Sequence, residues 1–290
     1  MVGRTTGEKI FNVFNIIVMI IVALMAIYPF IYTLSISLSS NVEAAREGWH
    51  LWPREVSLAA YKVVLGNTEI RTGFMNSVVR TVLGTVLTLF MTCLAAYPLA
   101  RKNLPHRGLV MFLVLFTMIF SGGMVPMYLL IKGLGMMNSI WALVVPTMLS
   151  AFNIIIMKNF FQAIPESYGE AARVEGASEW SILWRIYVPL AKPVLATVAL
   201  WTAVVHWNQW LDAMIYINDD SRQMLQAFLQ RIVIQGSTAM LDMGLTKMVD
   251  YSTATIKAAT VVITVMPILI VYPFVQRYFV KGIMLGGIKE

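Results

Sequence analysis

The side chains that could do covalent chemistry are few in this sequence and widely scattered. Three histidines, His50, His106 and His206, and one cysteine, Cys93, lie far apart, so neither a metal-ligand spacing nor a nucleophile and base pair emerges. No metal site and no catalytic residue is expected. A Gly-rich phosphate loop closed by Gly-Lys-Ser or Gly-Lys-Thr is absent, so any energy source belongs to another chain. His206 and Asp212 come nearest to a catalytic pair, but six residues of separation put them on different sides of a helix.

Non-covalent chemistry is concentrated in two places. The first is HWNQW, His206 to Trp210. Planar aromatic faces cover the apolar CH patches of sugar rings while amides supply donors and acceptors, and this run holds both kinds of group. Trp201 and Asn208 lie two turns apart on one helix face, and Asn153 offers a further amide. Asn153, Trp201, His206, Trp207 and Asn208 are therefore candidates for a polar substrate path. The competing reading makes Trp207 and Trp210 interface-belt aromatics and lets the amides bond between helices.

The second place is EAARVEGASEWSILWRIYVP, Glu170 to Pro189, a charged, turn-forming stretch between two apolar runs. Pro165 opens a helix, Glu166 and Glu170 sit near its positive end, and Gly176 stops it. Ser178 then caps a second short helix carrying Ile182, Leu183 and Ile186, before Pro189 and Pro193 break the chain. The expected product is an L-shaped pair of helices. Ala171 and Ala172 would keep one side thin enough for a close protein partner, and Glu170 would meet a basic one. A solvated loop with no partner is the alternative.

The elements that must position these residues follow from composition. With 58% hydrophobic and 13% charged residues, the 290-residue chain cannot present a soluble surface, which needs roughly 25% charge. Six apolar runs approach the 20 or so residues of a membrane-spanning helix: Ile10 to Leu34, Val78 to Ala100, Leu109 to Ile131, Ile140 to Met157, Pro193 to Ile217 and Ala258 to Phe279. Pro29, Pro98, Pro126, Pro146, Pro267 and Pro273 interrupt them and leave backbone carbonyls for neighbours to satisfy.

Lys and Arg placement orients the spans. With both termini inside, the inner segments carry net +6 and the remainder +1 of the overall +7. The short acid-free loop RKNLPHR, Arg101 to Arg107, is the cleanest part of that signal. The basic excess then faces membrane lipid, and no aromatic-interleaved basic face indicates nucleic acid. The loop containing Glu170 falls inside, while a long segment, Asn218 to Lys257, falls outside with Leu225, Phe228, Leu229 and Ile232 on a helix. That helix either caps its own bundle or meets an external protein. Arg80 and Asp212 lie as ionisable groups within the spans, both near outer ends within reach of water. This placement argues against an ion-coupled carrier.

The spacing of Glu170-Ala171-Ala172, Gly176, Ile186 and Val188-Pro189 closely resembles the EAA loop of ABC importer permeases, with Val188 where that family usually has Leu. The runs SGGMVPMYLLIKGLGMMNSIWALVVP, AFNIIIMKNFFQAIP and RIYVPLAKPVLATVALWTAVVHWNQWLDAMIYI, with the tail QRYFVKGIMLGGIKE, resemble the carbohydrate-uptake permeases, in the LplC-like branch related to the maltose permease MalG. The resemblance implies an all-α membrane protein of the type I ABC importer permease fold: six transmembrane helices with cytoplasmic coupling helices. An N-terminal span and extracytoplasmic loop over 1–73 would precede the permease domain over 74–290, with its coupling loop at 165–190. Glu170, Ala171, Ala172, Gly176, Ile186 and Pro189 would couple to the ATPase. The implied partners are a second, LplB-like permease, two ATP-binding subunits that hold ATP and Mg, and an extracytoplasmic sugar-binding protein, with an oligosaccharide as cargo. The chain itself would be no enzyme and would sit in a bacterial cytoplasmic (inner) membrane. Import of a non-sugar solute is the alternative within the family.

Overall fold

A computed structural model describes residues 6–46, 48–236 and 252–286. The described residues are helical, with one isolated bridge between Ser39 and Val56 as their sole β pairing. They pack as two units, Met1–Arg71 with Leu229–Met266 and Thr72–Phe228 with Pro267–Glu290.

In the first unit α1 (Thr6–Ser37) is a continuous apolar helix with Pro29 inside it. The short α2 (Asn41–Ala44) and α3 (Ala59–Gly66) fold back beneath its end. Ser37 and Tyr61 share a hydroxyl hydrogen bond of 2.8 Å, Tyr28 meets Trp49, and Tyr32 meets His50. The apolar body of α1 is exposed, as a span facing lipid or a partner must be.

α4 (Thr68–Ala100) begins in the first unit and runs through the second as an unbroken 33-residue helix. Its buried face carries Gly73, Ser77, Gly84, Thr88 and Ala96, small residues that let neighbouring backbones approach. Next come α5 (Arg107–Ile119) and α6 (Met124–Gly133), bent by 112° at the intervening Phe120–Gly123. Gly123, at φ +88°, supplies the left-handed backbone that this turn needs. α7 (Trp141–Val144), extended by a 3-10 turn through Pro146, meets α8 (Ala151–Ala163) at 50°.

α9 (Ser167–Val174) and α10 (Glu179–Ile182) form the loop, and α10 continues through a π turn, Leu183–Tyr187, into α11 (Val188–Leu190). α12 (Lys192–Asn208) leaves this segment at 82°. It is followed by α13 (Leu211–Tyr216) and α14 (Leu225–Gln235), and α15 (Thr253–Gly286) closes the described chain.

α1, α4 and the apolar part of α15 are long enough to cross a membrane, and each bent pair can make one further crossing, giving up to six spans among the described residues. The expected continuous third and fourth spans are instead broken helices. Hydropathy cannot register such breaks, because a glycine pair or a 3-10 proline turn changes direction without changing polarity. Part of the expected outer loop, 237–251, and the chain end, 287–290, lie outside the described residues.

Candidate functional site

The loop is assembled from local rules. Glu166 stands at the N-cap of α9 and Glu170 in its first turn, where carboxylates meet the positive helix end. The helix closes in a Schellman turn: the Gly176 N–H donates to the Arg173 carbonyl at 3.0 Å and the Ala177 N–H to the Ala172 carbonyl at 2.9 Å. Gly176 adopts φ +82°, yet a Cβ there would meet nothing within 4 Å. Backbone conformation, not crowding, therefore calls for glycine. Ser178 caps α10, its hydroxyl accepting from the Ser181 N–H at 3.3 Å. Pro189 then follows the π turn as the second residue of α11.

The loop has two faces. Inward, Ile182, Leu183 and Tyr187 are buried beside Cys93, Tyr97, Met157, Phe161 and Val198, while Ala172, Ala177 and Ile186 pack against the same cluster. Tyr187 meets Tyr97 and Phe161 edge-on, with centroids 5.1 and 5.6 Å apart. Outward, Glu170, Ala171 and Glu175 are exposed, and Val174 is 90% exposed. Ala172 thus turns into the core and leaves Ala171 alone of the pair on the thin outer side.

Glu179 binds the loop to α4. The Tyr97 hydroxyl donates to its Oε2 at 2.7 Å, Arg101 Nη1 to its Oε1 at 3.0 Å with Arg101 Nη2 on Oε2, and Arg173 Nε to Oε1 at 2.9 Å. Burial pushes this carboxyl up, but the hydrogen bonds from Tyr97 and Arg173 and the charge of Arg101 outweigh it and hold the group below the ordinary glutamate range. The hydrogen bond to Glu179 in turn raises Arg173. These side chains remain partly exposed, so each ion pair contributes at most about 1 kcal/mol. Their effect is to fix where α10 sits on α4.

A second constellation lies at the far end of α12. The helix stops at Asn208, Gln209 turns extended at φ −75° and ψ 120°, and α13 starts two residues later. Arg80, from α4, spans this break. Its Nη1 donates to the Gln209 carbonyl at 2.9 Å and to Asp212 Oδ1 at 3.2 Å, and its Nη2 pairs with Asp212 Oδ2. Arg80 is fully buried at 0% exposure. This corrects the expectation that it reaches water: the broken helix supplies both a carboxylate and a freed carbonyl, which together compensate a guanidinium taken out of solvent.

The predicted path residues fall into separate groups. The Trp201 Nε1–H donates to Asn153 Oδ1 at 2.8 Å, and Phe152 packs on the same indole. Asn208 is exposed, and its Oδ1 accepts from Gln226 Nε2 at 3.3 Å. His206 is buried against α4, where a Cβ on Gly84 would stand 2.5 Å from its Nε2, and Trp207 is buried beside Phe74. The amides thus bond between helices, the arrangement that the competing reading anticipates. Leu225, Phe228 and Ile232 of α14 are fully buried, with Phe228 seated on Gly73, and Gln226 is turned inward as well.

Sequence reasoning missed both clasps. Tyr97 lies in the last turn of α4 and Arg101 just past its end, but nothing local connects them to Glu179. Arg80 and Asp212 gave the better signal, as ionisable residues of opposite charge within predicted spans.

Residues 70–285 match the family model described as binding-protein-dependent transport system inner membrane component. Protein LplC of Bacillus subtilis (strain 168) is 39% identical over 286 residues, covering 99% of this chain and 97% of LplC. The polygalacturonan/rhamnogalacturonan transport system permease protein YtcP of the same organism is 41% identical over 270 residues, covering 92% and 94%. Among solved structures, a chain of a bacterial ABC transporter involved in the import of the acidic polysaccharide alginate superimposes with a TM-score of 0.89 at 34% identity, covering 96% of this chain and 100% of that one.

Proposed function

Because the chain belongs to the family of inner membrane components of binding-protein-dependent transport systems, we propose that this permease imports oligosaccharides as one of two different transmembrane subunits. The second is an LplB-like permease, two ATP-binding subunits supply ATP and Mg, and an extracytoplasmic binding protein delivers the sugar. The loop 165–190 and both termini face the cytoplasm, in keeping with the basic excess on that side. Two of the relatives handle acidic polysaccharides by their descriptions, so uronate-bearing oligosaccharides are the first substrates to test.

The observation that carries this reading is the outer face of α9. Val174 stands almost fully in solvent one turn beyond Glu170, beside Ala171, while the inner face is held in the core. Burying one valine is worth about 1.5–3 kcal/mol, so a helix that leaves it outside on a rigid, capped support is suited to docking a soluble partner. Glu170, Ala171 and Val174 are the contact residues, with Gly176 and Pro189 shaping the turn and Ala172 and Ile186 seating the loop.

Cysteines at Ala171 and Val174 test the docking directly. Both are expected to crosslink to the ATP-binding subunit in the assembled complex, and Glu170→Lys is expected to lower ATP-driven uptake at least tenfold without loss of membrane insertion. Crosslinks confined to other cytoplasmic segments, with uptake intact in Glu170→Lys, would refute it.

A further inference from the structure

α4 is held by charged contacts at two levels, one at Arg80, part of the way along it, and one around its C-terminal end. Toward its C-terminus, Tyr97 and Arg101 grip Glu179 of α10, and toward the other end Arg80 grips Asp212 and the Gln209 carbonyl at the break between α12 and α13. From Arg80 to Tyr97 the helix contains no proline, and at 1.5 Å per residue that distance is about 26 Å. Its buried face is closely packed: Gly73 lies against Phe228 and Gly84 against His206, each too close to admit a methyl group without displacement. Such a helix transmits displacement along its axis more readily than it bends.

By contrast, both elements gripped by α4 sit where the chain is discontinuous. α10 lies between the Schellman turn at Gly176 and the 82° bend at Ala191. The Gln209 carbonyl and Asp212 flank a point where the helical ladder is interrupted. Chain breaks concentrate motion, and a buried ion pair across one sets its position.

We propose that Glu179 and Arg80 are positioning residues of the transport cycle, making α4 a strut that carries movement of the docking loop to the break at the end of α12. Glu179 is the input contact and the Arg80 fork the output contact. The break then moves with the loop, bringing Asn208 and its Gln226 partner along. This inference rests on the reading of loop 165–190 as the site where the ATP-binding subunit docks.

The test uses the full complex in proteoliposomes with Leu211→Cys as reporter, since Leu211 lies between the two partners of Arg80 and is 48% exposed, while the native Cys93 is buried. The rate of labelling by a membrane-impermeant maleimide is measured with and without Mg-ATP. ATP is expected to change the rate at least threefold in the parent, and Glu179→Gln and Asp212→Asn each to cut that response by more than half. Because the two contacts act in series, the double variant should keep about the product of the two fractions that the single variants keep. If Asp212→Asn does not assemble, Arg80→Lys, which keeps the charge and loses the fork, takes its place. A full ATP response in Glu179→Gln overturns the strut, as does a full response in Asp212→Asn. Sugar uptake in the same vesicles separates the two readings: uptake with labelling indifferent to ATP sinks the strut alone, whereas an intact labelling response without import of any oligosaccharide strikes the proposed substrate class.

Discussion

At the residue scale, Gly176 separates conformational need from steric need. The site is open, so Ala and Leu should be tolerated equally for volume and penalised equally for backbone, at about 1–2 kcal/mol for a left-handed L-residue. Asn, which enters that region more readily, should cost less. Thermal unfolding of the assembled complex is expected to rank glycine above Asn, and Asn above Ala and Leu together; a Leu variant far below Ala would mean that crowding governs the site. The stop at Gly176 and the cap at Ser178 were legible because each is a rule about neighbours within a few residues. Ala172 was misplaced because a two-alanine run does not say which of the two faces the core. Glu179 was illegible as a clasp, since its partners Tyr97 and Arg101 lie 82 and 78 residues away in sequence.

At the element scale, α4 and α12 fit together through a glycine and a buried ring. Gly84→Ala would drive a methyl group into the His206 imidazole, and overpacking of this kind costs about 1–3 kcal/mol. Shortening the ring partner should relieve it. Gly84→Ala is expected to lower the melting temperature of the complex, and Gly84→Ala with His206→Ala to fall by less than the two singles combined. Strict additivity would show that the ring yields without strain. The spans themselves could be read from apolar length, and the apolar stripe of α14 from its period. The breaks at Phe120–Gly123 and at the 3-10 turn through Pro146 could not, because polarity barely changes across them, and after Asn208 the polar run was visible but the break was not, since tertiary packing decides where a chain bends.

At the scale of the whole molecule, the apolar runs marked a multi-span membrane protein, and the resemblance of the loop and its flanking runs to ABC importer permeases pointed to the family that the comparisons show. The substrate path was much less legible. Its expected members divide between an Asn153–Trp201 pair, an Asn208–Gln226 pair and two side chains buried against neighbouring helices, because sequence spacing fixes a helix face but not what that face meets. ATP-driven import of an oligosaccharide is read out by uptake into proteoliposomes containing the permease pair and ATP-binding subunits, with loaded binding protein outside and ATP inside. Oligogalacturonides and alginate oligosaccharides are the first cargo to offer. The expected result is accumulation that requires both ATP and the binding protein and falls at least tenfold with Glu170→Lys in this chain; accumulation that proceeds without ATP or the ATP-binding subunits would contradict it.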